Sequence, residues 1–140
     1  QTQYTISNAM DVGNPSNFPR ILELYHKLHP AIANDIKGYW YSDDQTRSAM
    51  YDIFKQFAYQ SDPHGAIAYA GLKEFGIKKD NFNIFLETAH PAKFSDEAEK
   101  SAIQKVQIPD ILKKILLLEK NAVKIPNDYF SFKKHLKQLI

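Results

Sequence analysis

One short run constrains this chain more than any other. Asn83-Ile84-Phe85-Leu86-Glu87 is continuously apolar at its centre and stops at Thr88-Ala89-His90-Pro91. A short apolar run of this kind has the pattern of a strand buried on both faces. Pro91 ends it, because proline has no N–H to give to a ladder. Such a strand needs partners on both edges and helices above and below, yet the sequence offers only one other β-prone run, Tyr4-Thr5-Ile6-Ser7. The fold class expected is therefore α/β: part of a parallel or mixed sheet with flanking helices, a piece of a larger protein, helix-rich toward its carboxyl end. The lack of an initiator Met before Gln1 fits that expectation.

The rest of the chain reads as helices. After the turn-rich stretch Asn8 to Asn17, Ile21, Leu24, Tyr25 and Leu28 fall at i, i+3, i+4 and i+7, with Pro19 in the first turn and Pro30 at the far end. Ser42 and Gln45 have capping-box spacing before the stripe Met50, Ile53, Phe54 and Phe57. Asp62-Pro63 opens a third helix that runs toward Gly76. Ser95 is placed to cap a further helix, Pro109 to begin another, and a last one is expected from about Asp128. At 140 residues this is one domain's worth of chain. We divide it into residues 1–95, the core part with the strand-end motif, and 96–140, the carboxyl-terminal helices.

Charge separates these two parts. Residues 1–95 carry 9 basic and 10 acidic side chains, while residues 96–140 carry 9 and 6. The tail lysines alternate with apolar residues at helical spacing, which reads as the solvated faces of amphipathic helices and not as a nucleic-acid patch. There is no cysteine, which excludes disulfides and thiolate chemistry and fits a reducing, cytoplasmic location. No apolar run approaches the roughly 18 residues that span a membrane.

Three places concentrate chemistry. Thr88, His90 and Lys93 bring a hydroxyl, an imidazole and an ammonium to the carboxyl end of the expected strand, where open α/β sheets bind ligands. The same groups equally suit a turn that caps its own backbone. Asp62 and His64 stand at the positive end of a helix dipole, where an anion or simply solvent could face them. The Gly13 to Asn17 turn lacks the spacing of a phosphate loop. His26 and His29 share a helical spacing but have no third ligand, and His135 lies among lysines, so no metal site is expected.

Four stretches in order, Ser7 to Leu24 (SNAMDVGNPSNFPRILEL), Ser42 to Thr46 (SDDQT), Asp62 to Leu72 (DPHGAIAYAGL) and Thr88 to Phe94 (TAHPAKF), together resemble the carboxyl-terminal third of the threonine synthase family. That resemblance implies a fold-type-II, tryptophan synthase β-like enzyme using pyridoxal 5'-phosphate. The implied reaction converts O-phosphohomoserine and water to threonine and phosphate by γ-elimination and β-addition of water. It also implies that Thr88 hydrogen-bonds the cofactor's pyridine nitrogen, with His90 and Lys93 lining or bracing the site and the helix begun by Asp62 and His64 pointing at it. The family's Schiff-base lysine, in an SFKD-type segment, and its glycine-rich phosphate loop have no counterpart here. Ser131-Phe132-Lys133 echoes the lysine motif only superficially, being followed by Lys134. The expected partner is thus the amino-terminal remainder of the same enzyme, and the 140 residues alone should be inactive and prone to self-association along exposed strand edges. A dehydratase or β-replacing relative, or a non-catalytic α/β interaction module, are the alternative readings.

Overall fold

A computed structural model of the chain describes residues 2–102 and 104–139. They form two compact units, Gln1–Gln107 and Ile108–Ile140. The first contains α1 (Phe18–Leu24), α2 (His29–Asp35), α3 (Asp43–Phe57), α4 (Pro63–Phe75) and α5 (Ser95–Ala102), with 3-10 turns at Asn8–Met10 and Pro91–Phe94. The second holds α6 (Asp110–Leu116) and α7 (Tyr129–Gln138).

The core of the first unit is built on α3, which packs against α4 and α5. Ala49, Met50 and Ile53 supply the buried stripe of α3 and meet Ala66 and Tyr69 of α4, Ala98 of α5 and Val106. Burying Ile53 or Met50 contributes about 1.5–3 kcal/mol each. The start of α3 is fixed as the sequence predicts: Ser42 Oγ accepts from the Gln45 N–H while Gln45 Oε1 accepts from the Ser42 N–H, a complete capping box. Asp62 caps α4 as expected, and Asp128, about where the last helix is expected to begin, caps α7. Arg47 of α3 reaches Glu97 of α5 at 2.9 Å, and the guanidinium holds that carboxyl below the usual range.

The expected α/β class is overturned, because the described residues contain helices and no strand or sheet. Two physical reasons are visible. The Tyr4–Ser7 run has its backbone donors taken by carboxylates, Thr5 N–H by Asp11 at 2.9 Å and Ile6 N–H by Asp43 at 3.1 Å, so it offers no free edge there. The Asn83–Glu87 run forms neither helix nor ladder. It is also not buried on both faces. Phe85 and Glu87 turn toward α4, whereas Phe82, Ile84 and Leu86 are 101%, 76% and 69% exposed. Phe85 meets the Tyr69 ring edge-on at 5.7 Å between centroids.

The first predicted helix also breaks. It ends at Leu24, His26 and Lys27 take φ of 51° and 60°, and Pro30 opens α2 instead of marking the end of α1. Proline lacks the N–H that a helix interior requires but suits a first turn, so the residues ahead of it must leave the helix. Ser95 is the first residue of α5 itself, since the preceding 3-10 turn runs straight into it.

Candidate functional site

The site is assembled where α4 begins. Asp62, as N-cap, is wholly buried, and its Oδ1 accepts from the His64 N–H at 2.8 Å and lies 2.5 Å from His64 Nδ1. An N-cap carboxylate satisfies orphan backbone donors and complements the helix dipole. The His64 ring in turn meets Phe94 edge-on at 5.0 Å, joining the 3-10 turn to the start of α4.

Glu87 completes the cluster. Its Oε1 accepts from the Asp62 N–H at 2.9 Å, which sets its carboxyl beside the head of α4. The carboxyl lies directly over Gly65, in space that any Cβ there would fill. Burial, followed by the hydrogen bond and the charge of Asp62, pushes the Glu87 pKa up to about 8 against the opposing backbone hydrogen bond. Burial also works against an ionised Asp62, but hydrogen bonds from Glu87, from the His64 backbone and from its ring hold Asp62 below the usual carboxylate range. Burial and the neighbouring Asp62 thus favour the neutral form of the Glu87 carboxyl over a second charge in the pair. Ser61 Oγ, Asp62 Oδ2, His64 Nε2 and Glu87 Oε2 are buried without a partner among the described residues. Counted as two carboxylates, the acids could only accept; a proton on Glu87 adds a donor to this set.

Thr88 follows immediately and is exposed. Glu87, the residue before Thr88, is thus the one that meets Asp62 at the start of α4. His90 and Lys93 take other places. His90 caps the 3-10 turn, its Nδ1 accepting from the Ala92 N–H at 3.1 Å, which is the backbone-capping alternative for that residue. Lys93 is exposed and, with Phe94, lines a cavity of about 370 Å³ that Thr5, Ile6 and, from the first motif, Asn8 also border. Two larger concavities of about 540 Å³, one between α3 and α4 and one beside Phe85, contain none of these five residues. Among the described residues no group of three potential metal ligands occurs. No helix there is long and apolar enough to cross a membrane. Lys133 sits in α7 with its ammonium 5.6 Å from the Tyr129 ring centre.

Residues 65–136 match the family model described as "Threonine synthase, C-terminal". The chain belongs to the threonine synthase family. The family match takes in Gly65, Glu87, Thr88, His90 and Lys93 and begins just after His64. The chain is 34% identical over 133 residues to threonine synthase of Escherichia coli strain K12, covering 95% of this chain and 30% of that protein. It is 40% identical over 113 residues to threonine synthase of Buchnera aphidicola subsp. Schizaphis graminum, covering 81% and 26%. The crystal structure of threonine synthase from E. coli superposes with a TM-score of 0.74 at 31% identity, over 99% of this chain and 32% of that one. The chain therefore spans less than a third of these threonine synthases and corresponds to a carboxyl-terminal part.

Sequence reasoning missed Glu87 and Gly65. The signal for Glu87 was present, a single carboxylate closing the apolar run Ile84 to Leu86, where an unpaired charge is costly. Nothing local marked Gly65 as the floor beneath that carboxyl.

Proposed function

We propose that this chain is the carboxyl-terminal part of a cytosolic threonine synthase, a lyase whose whole protein converts O-phosphohomoserine and water to threonine and phosphate with pyridoxal phosphate. Family membership over residues 65–136, which include Thr88, is the observation that carries the reading. The residues fit one edge of the cofactor. Thr88 offers an exposed neutral hydroxyl, and such a group donates a hydrogen bond to an unprotonated ring nitrogen, where a carboxylate would hold that nitrogen protonated. When bound, the cofactor supplies the electron sink that stabilises carbanion character next to its imine.

The work of these 140 residues is then to present Thr88 and to set its orientation. Glu87 ties the segment to α4 through the Asp62 N–H. His90 shapes the turn that follows through its bond from Ala92. The covalent lysine and the grip on phosphate belong, in this proposal, to the amino-terminal remainder of the enzyme. Expression of the whole reading frame that encodes this chain, with phosphate release from O-phosphohomoserine as the assay, tests the reading. We expect turnover that falls at least about tenfold in Thr88→Val. A protein active on serine or threonine and inert to O-phosphohomoserine would overturn it.

A further inference from the structure

The cluster at the head of α4 has a structure that capping alone does not require. Capping α4 needs one oxygen of Asp62, which the His64 N–H occupies. The second acid, Glu87, comes from a different segment, lies over the bare Cα of Gly65 and is anchored to the Asp62 backbone. We infer that Glu87 is a positioning residue for Thr88: its carboxyl, held over Gly65 by the Asp62 N–H, pins this segment to α4 and so sets where the Thr88 hydroxyl stands. The inference rests on the reading that Thr88 meets the cofactor ring.

Several observations converge on it. The flanking residues Leu86 and Thr88 are exposed, so Glu87 and Phe85 are the side chains that hold this stretch inward. The titratable groups around the Glu87 carboxyl are Asp62 at the head of α4, itself in contact with His64, and Tyr59 from the α3–α4 connection, whose phenol is pushed up by burial and then by the charges of Glu87 and Asp62. Among the described residues the ion pairs bring His64 to this cluster and no lysine or arginine. Ionisation of Glu87 therefore places a second carboxylate beside Asp62 with no lysine or arginine to separate them. Like charges so placed repel, and the end that can move is the segment carrying Thr88.

The test uses the enzyme made from the whole reading frame. Hydrogen–deuterium exchange of peptides covering residues 81–90 is measured at about pH 6.5 and about pH 9, corrected for the intrinsic rate, in wild type, Glu87→Gln and Glu87→Ala. In wild type the corrected exchange of this segment is expected to rise at least about tenfold at the higher pH, while peptides of α3 stay unchanged. Glu87→Gln keeps a neutral donor and should remain protected at both pH values. Glu87→Ala should exchange fast at both and bind pyridoxal phosphate at least about tenfold more weakly. Equal wild-type protection at both pH values, or a Glu87→Gln enzyme that follows the wild-type pH response, overturns the inference. Should the alanine variant not fold, the comparison of wild type with Glu87→Gln decides. Failure to release phosphate from O-phosphohomoserine would strike the functional reading and leave the exchange comparison standing, whereas a flat exchange profile in an active enzyme overturns the positioning role alone.

Discussion

Replacing Gly65 with alanine tests the architecture of the site with a single methyl group. A Cβ at this position would lie 2.5 Å from Glu87 Cδ and 2.8 Å from Oε1, so the carboxyl must leave. Its departure strips the buried Asp62 N–H of its acceptor, which costs about 1–3 kcal/mol, and breaks the hydrogen bond to the Asp62 carboxylate, worth about 1.5–3 kcal/mol. Two terms oppose this. Alanine is favoured over glycine in a helix by up to about 1 kcal/mol, and an expelled Glu87 regains solvation and ionises normally. The net expectation is about 2 kcal/mol of destabilisation near pH 6. With a urea slope of about 1.5 kcal/mol/M, the midpoint read by far-UV circular dichroism should fall by about 1 M. Near pH 9 the wild-type pair has already lost its proton, so the same substitution should cost clearly less. A G65A chain as stable as wild type near pH 6, or one destabilised equally at both pH values, would refute the reasoning.

Further outcomes follow from the same structure. The folded chain holds a proton on Glu87 that the unfolded chain would lose, so stability should fall as pH rises from the ordinary glutamate value of 4.5 to about 8, and level off above it; Glu87→Gln should abolish that decline in a urea series across pH. Asp62 acts in the opposite sense, its contribution being present above the ordinary value of 3.8 and lost as pH falls through its lowered folded value. Ser42→Ala removes half of the capping box on α3 and should cost about 1 kcal/mol in the same urea assay, with Ser42→Asp restoring most of it. The 140-residue chain alone, mixed with pyridoxal phosphate, should develop no absorbance of a lysine-bound cofactor and release no phosphate from O-phosphohomoserine; either signal would contradict assigning that work to the rest of the enzyme.

The helices were legible because their signals are local. Ser42 with Gln45, Asp62 with Pro63, and Asp128 each start a helix through bonds made within three residues. The strand was not legible for the opposite reason. An apolar run such as Ile84-Phe85-Leu86 fits a pleated ladder, but the ladder exists only if another edge is supplied, and the Tyr4–Ser7 run gives its donors to Asp11 and Asp43. Those two carboxylates lie six residues and 37 residues away, one of them beyond the reach of any periodicity. The site divides in the same way. Thr88 came from a motif resemblance and Asp62 from cap chemistry, whereas the meeting of Asp62 with Glu87 spans 25 residues and depends on Gly65 leaving room for it.

The most direct measurement of the central claim is the nitrogen-15 chemical shift of ring-labelled pyridoxal phosphate bound to the enzyme made from the whole reading frame. An unprotonated, hydrogen-bonded ring nitrogen is expected in the wild type, its shift moving toward the value of a free pyridine nitrogen in Thr88→Val. A protonated nitrogen, or a shift that Thr88→Val leaves unchanged, would contradict it.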